Sequence, residues 1–356
     1  MNARFAVVLL VLLAVLGGGA LLVRQQSSSP QKPPEAEVLG QPLLKGLKGA
    51  EVASVAIREP KATLTLQRRG ERWTIAERDG FPADYDKVRD FVLKALALKV
   101  GQSEPASEAE RARLSLDASG TGVEFAGADG KPLAGLRVGK KYFKAAPENP
   151  DKASGDGRVV ALPGDAKHVF VVSDPLAQAT TKSAEWISKA GFAAEKVKTM
   201  ELRYADGSGW KIERSGDNAD WKLAGLGAGE KLEVTKANAA SYTLSLIELA
   251  DVAPKEAGPA ETGLDKPVVV TALTFDALTY TLRLGKAQGD NHYATIAIAG
   301  EPKPEGKDSD ERLKKIQERL PREKALGAYT LLIPKSKLED ILKKRAELLE
   351  KKDAKK

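Results

Sequence analysis

The side chains best suited to acid–base or metal chemistry near neutral pH are scarce: the 356-residue chain has two histidines and no cysteine. A zinc-binding pair needs a short spacing such as H-E-x-x-H, and His168 and His292 lie far apart in the sequence. An internal repeat aligns Arg158 with His292 and Ala328 with His168, whereas a duplicated site should match. We therefore interpret both histidines as structural. The missing cysteines exclude disulfides, thiolate ligands and a thiol nucleophile.

Two glycine-rich stretches resemble ligand loops in composition only. "GLGAGEK" (225–231) lacks the G-x-x-x-x-G-K-[ST] spacing that wraps a phosphate. "DKASGDG" (151–157) lacks the spacing and the closing glutamate of a calcium loop. The G-x-S-x-G motif of serine hydrolases does not occur. We expect loops at both places, no cofactor, no metal and no catalytic residue, so an enzyme is not expected.

Three tryptophans offer a third kind of site. Trp73, Trp210 and Trp221 could together form an aromatic platform for a sugar. Each lies in a short stretch with the pattern of a strand, where a tryptophan more often packs in the core. We favour the core interpretation.

The elements that would position these residues occur twice. Three pairs of segments match in the same order, 145–148 residues apart: "EVASVAI" (51–57) with "KVKTMEL" (196–202), "RRGERWTI" (68–75) with "RSGDNADWKL" (214–223), and "LRVG" (136–139) with "LRLG" (282–285). Trp73 and Trp221, like Gly139 and Gly285, mark equivalent positions. Collinear matches at nearly one offset indicate a tandem duplication. We interpret the last pair as equivalent strands that each end at a glycine, where the chain turns.

Each copy has the pattern of an α+β unit built on antiparallel sheet. Alternating apolar and polar residues predict a three-strand meander, followed by a helix and then by four short strands. Asp84 is a suitable N-cap for the first helix, whose counterpart in the second copy is predicted near 235–250. A further helix is predicted to close each copy, over 173–190 and from Ser336, which makes an S-x-x-E capping-box pattern with Glu339.

The second copy carries an insertion, residues 300–327, between its last two strands. Asp308 and Glu311 could cap a short helix within it. Leu313, Ile316 and Leu320 would share one face of that helix. We favour a solvated helix folded onto its own domain. A helix that docks a partner through these three residues is the sharper alternative, and disorder is the third.

The N-terminus predicts a membrane anchor. Residues 5–23 contain no charged side chain, and a helix of that length spans about 28 Å, close to the hydrocarbon core of a bilayer. A cleaved signal peptide with Gly18-x-Ala20 as its site is the alternative. We favour the anchor because apolar residues continue to Val23. Arg4 favours a cytoplasmic N-terminus, and Arg24 on the other side opposes it.

Composition completes the predicted organisation. The predicted parts are a cytoplasmic stub (1–4), the transmembrane signal anchor (5–23), a Pro/Ser-rich tether (24–46), a first α+β repeat (47–195), a second α+β repeat (196–342) and a basic tail (343–356). Much of the formal charge of +7 lies near the C-terminus. No basic patch interleaved with aromatic residues is present, so a nucleic-acid partner is not expected.

Several segments resemble the bacterial family known as domain of unknown function 4340. They are "LLKGLKGAEVASVAI" (43–57), "WTI…FPAD" (73–84), "LRVGKK" (136–141) and "SDPL…EWISKAGF…V" (173–197). The second copy departs from the shared motif, with "KLEVTK" (231–236) in place of "FPADYD". The resemblance implies a single-span envelope protein of the bacterial inner membrane, often encoded beside ABC transporter components of the gliding-motility type. It attaches no catalytic residue.

Taken together, the sequence predicts a non-catalytic protein with its C-terminal body in the periplasm. The favoured function is a membrane-anchored scaffold or accessory subunit of an envelope ABC-type transport complex. The expected partners are therefore the inner membrane, through the N-terminal helix, and ABC transporter subunits. The alternative is a lipid- or glycan-binding protein that holds its ligand in the seam between the two repeats.

Overall fold

The computed structural model describes residues 38–305 and 308–350. Within these ranges the chain forms two antiparallel sheets with few helices, which confirms the predicted α+β class. The predicted stub (1–4), the anchor (5–23) and most of the tether lie outside the described residues, as do residues 351–356 of the tail. No helix in the described part of the chain is both long and apolar enough to cross a bilayer.

The first half of the chain builds a nine-stranded sheet. Its strands are β1 (Ser54–Glu59), β2 (Ala62–Arg69), β3 (Arg72–Ile75), β4 (Phe81–Pro82), β5 (Gln102–Pro105), β6 (Thr121–Ala126), β7 (Pro132–Tyr142), β8 (Gly157–Ala161) and β9 (His168–Val172). They are arranged in the order β4-β3-β2-β1-β6-β7-β8-β9-β5. The helices α1 (Tyr85–Ala97) and α2 (Glu108–Arg113) lie in the connections.

The second half builds an eight-stranded sheet. Its strands are β10 (Val197–Arg203), β11 (Gly209–Glu213), β12 (Lys222–Leu223), β13 (Asp251–Val252), β14 (Val268–Thr274), β15 (Thr279–Gln288), β16 (Asn291–Ala299) and β17 (Leu331–Pro334). They are arranged in the order β12-β11-β10-β14-β15-β16-β17-β13. Its helices are α3 (Val234–Tyr242), α4 (Pro259–Thr262) and α5 (Ser309–Ala325).

The two sheets have the same strand order once β4 is set aside. The "LRVG" strand β7 and the "LRLG" strand β15 occupy the same place in their sheets. Leu136 of β7 pairs with Val123, and Leu282 of β15 pairs with Val270. Each strand also shows a register shift just after this point. Every pairing between named strands joins strands of the same half.

Gly139 and Gly285 do not end their strands, because β7 and β15 each continue three residues further. The prediction that the chain turns at these glycines is wrong. A Cβ on Gly139 would lie 2.4 Å from the carbonyl oxygen of Leu114, and one on Gly285 would lie 2.2 Å from that of Thr262. Each carbonyl comes from the C-terminal end of a short helix, α2 or α4. The glycines therefore permit a close backbone approach.

Asp84 caps α1 as predicted. Its carboxylate accepts hydrogen bonds from the backbone N–H groups of Asp86 (3.1 Å) and Lys87 (3.3 Å). The buried face of α1 consists of Val88, Phe91, Val92 and Ala95, a helical spacing that turns one face of α1 to the core. In the second half, α3 ends at Tyr242 and is shorter than the predicted helix near 235–250.

The α-helix predicted over 173–190 is wrong, and the structure has a 3-10 helix there at Ser183–Glu185. The Asp174 carboxylate accepts a hydrogen bond from the backbone N–H of Leu176 (2.7 Å), a local turn that competes with a helix cap. Leu176 itself has a left-handed φ of 49°. Trp186 is buried, and its indole N–H donates to a backbone carbonyl six residues earlier. The segment is an irregular connector that fills the core.

The closing helix predicted from Ser336 is also wrong, because Ser336 lies in a three-residue 3-10 helix without a side-chain cap. The hydroxyl of Tyr204 donates to the carbonyl of Leu342 (2.5 Å). The indole N–H of Trp210 donates to the carbonyl of Lys343 (2.7 Å). These side chains use carbonyls that a continuing α-helix would use for its own hydrogen bonds.

One continuous hydrophobic core contains buried residues from both halves. At the seam, the Ser183 hydroxyl donates to the carboxylate of Asp251 (2.7 Å). The rings of Phe81 and Tyr329 meet edge to face, with their centroids 4.9 Å apart. The cavity beside this contact has a volume of about 90 Å³. The two halves are therefore packed together through side chains from each.

Candidate partner-binding groove

The first half begins with an entry segment, residues 38–47, that packs into the core. The backbone N–H of Leu43 donates to the carbonyl of Leu98 (2.8 Å), and that of Val100 donates to the carbonyl of Gln41 (3.0 Å). Leu43, Leu44 and Leu47 are buried. The predicted tether (24–46) is therefore wrong at its C-terminal end, because Leu43 and Leu44 occupy core positions.

A second entry segment, residues 189–195, stands in the same relation to the second half. The N–H of Gly191 donates to the carbonyl of Ile247 (3.1 Å), and that of Leu249 donates to the carbonyl of Lys189 (2.8 Å). This pattern matches the first entry segment with Leu43 equivalent to Gly191. The predicted boundary at residue 196 therefore places this segment, which packs as part of the second unit, in the first repeat.

An apolar groove of about 340 Å³ lies between the first entry segment and residues of strands β7 and β9. Among its lining residues are Leu43, Leu44, Val100, Ala134, Leu162 and Phe170. Lys45 also lines the groove, and none of the described carboxylates forms an ion pair with it. The groove thus offers an apolar floor with one exposed cation beside it.

The equivalent surface of the second half is buried. The matching entry segments make Phe192 equivalent to Leu44, and the sequence repeat makes Tyr280 equivalent to Ala134. The strand pairings of the two sheets make Leu331 equivalent to Phe170. Phe192 and Tyr280 are each 1% exposed, and their rings stack with centroids 6.2 Å apart. The space that is an open groove in the first half is filled in the second.

Helix α5 covers that second surface. Its residues Ile316 and Leu320 are 1% and 7% exposed and belong to the continuous core. Arg319 donates to the carbonyl of Ala193 (2.6 Å), and Arg322 donates to the carbonyl of Ala190 (2.9 Å). Both carbonyls lie in the second entry segment, so α5 is held across it.

The prediction that Leu313, Ile316 and Leu320 dock a partner is therefore wrong for two of the three residues. Ile316 and Leu320 already pack against their own domain, and Leu313 is half-buried. The physical reason is the filled surface beneath them, where Tyr280 and Phe192 supply apolar area for α5 to bury. The favoured interpretation, a helix folded onto its own domain, is the one that the structure has.

A buried ion pair joins two residues of α5, and one of them, Arg319, also contacts the second entry segment. Arg319 donates to Glu323 Oε1 (2.8 Å), and the Glu323 side chain is only 2% exposed. Burial raises the pKa of the Glu323 carboxyl, and the positive charge of Arg319 offsets part of that increase. Burial also raises the pKa of the adjacent Tyr280 hydroxyl to about 12. The pair is thus held in an environment that disfavours an isolated negative charge.

The two histidines occupy unlike surroundings. His168 Nδ1 lies 3.0 Å from the carboxylate of Asp165, with both side chains partly exposed. His292 Nδ1 donates to the carbonyl of Gly285 (3.1 Å). Among the described residues no group of three or more histidines and carboxylates is arranged to hold a metal ion. Each histidine has a local hydrogen-bond partner, in line with a structural role.

The tryptophans form no exposed platform. Trp73, Trp210 and Trp221 are 7%, 5% and 5% exposed, which confirms the core interpretation. The Trp221 indole N–H donates to Asn238 Oδ1 (3.0 Å), and the guanidinium of Arg214 lies 4.7 Å from the centre of its ring. The two glycine-rich stretches, 225–231 and 151–157, are loops with some turns, apart from Gly157 at the start of β8.

Sequence reasoning missed the groove because its floor comes from distant segments. Leu43 and Leu44 were assigned to the tether, although two adjacent leucines are unusual in a solvated linker. A second signal was present in the alignment. Ala134 stands where the second copy has Tyr280, so a large ring in one half is replaced by a methyl group in the other.

Comparison with known proteins places the chain by sequence. A family model described as "Domain of unknown function (DUF4340)" matches residues 73–267, more than half of the chain. The resemblance noted from the sequence is thereby confirmed. The match begins in the first sheet and ends just before β14 of the second. No curated protein and no solved structure matches the chain.

Proposed function

Because the chain belongs to the family described as domain of unknown function 4340, we propose that it is a membrane-anchored scaffold or accessory subunit of an envelope ABC-type transport complex. The family resemblance supports the class of partner, since members look like single-span envelope proteins encoded beside ABC transporter components. In this proposal the protein crosses the bacterial inner membrane once, has its C-terminal body in the periplasm and performs no catalysis.

The observation that carries the proposal is the short stretch of chain between the apolar segment and the packed body. The apolar segment ends at Val23, and Val38 already packs against the core. Fourteen residues lie between them, and fully extended they reach at most about 50 Å. A body held this close to the bilayer is suited to contact a partner in the same membrane.

The proposal includes a tandem duplication as the origin of the body. The shared strand order, the equivalent glycine contacts and the two entry segments all support it. With the entry segments included, the second repeat starts near residue 189, which is equivalent to residue 41 of the first repeat. A duplicated, non-identical pair of units provides two versions of one surface on a single body.

The alternative, a lipid or glycan held in the seam between the repeats, has less support. The cavity beside the Phe81–Tyr329 contact measures about 90 Å³, whereas ligand pockets usually measure about 300–1,000 Å³. A partly buried hydrogen bond between Ser183 and Asp251 joins the two halves at the same seam. A ligand there would have to displace this contact.

The test is affinity purification of the tagged full-length chain from native membranes in mild detergent, followed by mass spectrometry. We expect transporter permease or ATPase subunits at near-stoichiometric yield. A variant lacking residues 1–37 should lose most of that yield. A matched control replaces residues 5–23 with an unrelated apolar span of equal length and should retain it. If no transporter subunit is recovered, or if the body without its anchor recovers it equally well, the proposal fails.

A further inference from the structure

The groove of the first repeat is the counterpart of a surface that already binds a helix. In the second repeat, α5 lies across residues 190–193 and places Ile316 and Leu320 in the core. The first repeat connects β8 to β9 by a short turn at residues 162–167, so no helix follows β8 there. Within the described residues, the same framework thus presents one surface covered by a helix and one that no helix covers.

The chemistry of the two surfaces is alike where a helix would sit. The second entry segment offers the carbonyls of Ala190 and Ala193 to α5, and the equivalent residues of the first are Pro42 and Lys45. Pro42 and Lys45 both line the groove. Apolar side chains four apart, as in Ile316 and Leu320, are the usual anchors of a helix bound in a groove. The first repeat therefore has the shape and the apolar floor for such anchors.

The groove is open in the first repeat because a small side chain stands where the second repeat has a large one. The tyrosine ring of Tyr280 fills the second repeat where Ala134 leaves space in the first. Since no helix within residues 38–172 covers this place, an incoming helix could insert its anchors more deeply than α5 does. About 340 Å³ is enough for two large aliphatic side chains.

We infer that the groove lined by Leu44, Ala134 and Phe170 binds an amphipathic helix of a membrane partner protein. The helix presents two aliphatic side chains four residues apart to the groove and an acidic residue to Lys45. Charge complementarity favours the acidic residue, because no described carboxylate neutralises the Lys45 ammonium. The inference rests on the proposed scaffold function and names the surface through which that function works.

The experiment places a photo-crosslinking p-benzoylphenylalanine at Leu162, in the groove, within the full-length chain in native membranes. A matched control places the same residue at Leu273, an exposed leucine on the second repeat. We expect a covalent adduct at Leu162, and none at Leu273, with a peptide whose sequence has the helical spacing of aliphatic residues. An adduct with lipid, with an extended segment, or at both positions would overturn the inference.

Two variants test whether the groove itself is used. Ala134→Tyr introduces the residue of the second repeat and should lower the Leu162 adduct yield at least about tenfold, as expected when a central anchor pocket is filled. Ala62→Tyr, at an exposed strand position outside the groove, should leave the yield unchanged. Lys45→Glu keeps the fold, because the side chain is exposed, and should lower the yield several-fold by repelling the acidic residue.

The outcomes separate this inference from the proposed function. If transporter subunits co-purify with the full-length chain but Leu162 forms no helix adduct, the groove is not the docking surface and the scaffold proposal stands. If the yield of the Leu162 adduct is the same in Ala134→Tyr and in the unchanged chain, the groove is again not the docking surface, and the scaffold proposal stands. If no membrane protein co-purifies, the scaffold proposal and this inference both fail.

Discussion

Replacing Arg319 with alanine tests the account of how α5 is held. The guanidinium contacts Glu323 Oε1 at 2.8 Å and the Ala193 carbonyl at 2.6 Å. The Glu323 side chain is 2% exposed, and its other oxygen has no hydrogen-bond partner among the described residues. Removing Arg319 therefore leaves a buried carboxylate without its ion-pair partner. Removing one member of a buried pair costs about 3–5 kcal/mol. Since Arg319 is 21% exposed, we expect about 2–4 kcal/mol.

The stability lost in Arg319→Ala should depend on pH. Burial raises the folded-state pKa of Glu323 above its usual value of 4.5, and loss of Arg319 raises it further. A carboxyl with a raised folded pKa contributes stability below its unfolded pKa and loses that contribution as pH rises through its folded pKa. The destabilisation by Arg319→Ala should therefore be largest near neutral pH and shrink as the pH falls toward 4.5.

The assay is urea unfolding of the full-length chain in detergent, monitored by tryptophan fluorescence. It is carried out at neutral and at mildly acidic pH. A double variant, Arg319→Met with Glu323→Leu, serves as the control, because replacing both members of a buried pair by apolar residues is often neutral. It should recover most of the lost stability and show little dependence on pH. An equal loss at both pH values, or a loss below about 0.5 kcal/mol, would refute the reasoning.

Three further predictions concern local structure, each measured by the same unfolding assay. The substitutions Gly139→Ala and Gly285→Ala should each lower the free energy of unfolding by about 1–3 kcal/mol, because the added Cβ would meet a backbone carbonyl. The control Gly164→Ala has open space around it and should lower it by under about 1 kcal/mol. Asp84→Ala should cost about 1 kcal/mol through loss of the α1 cap, and a neutral result would show that its two backbone hydrogen bonds do not matter. Ser183→Ala should cost about 1–3 kcal/mol because the Asp251 carboxylate loses a buried donor, and partial unfolding of one half alone would contradict the packed seam.

The strands were predictable because their signals are local. In β1 and β2 the alternation of apolar residues reports burial of one face, and α1 combines a capping carboxylate with apolar residues at helical spacing. The α-helices predicted at 173–190 and from Ser336 failed for a different reason. At 173–190 the competing group is local, because the Asp174 carboxylate accepts from the backbone N–H of Leu176. After Ser336 the competing groups, Tyr204 and Trp210, lie more than 130 residues away in the sequence.

The groove could not be predicted because it depends on a helix that covers the second repeat and has no counterpart between β8 and β9 of the first. Ala134 and Leu44 line an opening only because no helix follows β8, and the comparison with Tyr280 becomes meaningful once α5 is seen above it. Likewise, the glycines at 139 and 285 were recognised as equivalent, but their role depends on carbonyls delivered by α2 and α4. Sequence periodicity describes one element at a time, and these features arise between elements.

The confinement of every strand pairing to one half of the chain has a consequence for biosynthesis. The nine-stranded sheet needs no strand beyond Val172, whereas the last strand of the second sheet ends at Pro334. At about 5–20 residues per second, the ribosome completes the second set of strands on the order of 10 s after the first. During this interval the nascent first unit exposes the surface that Tyr329 and Asp251 will later cover. Until the second unit is complete, the ring of Phe81 lacks its partner Tyr329, and a chaperone could bind it there.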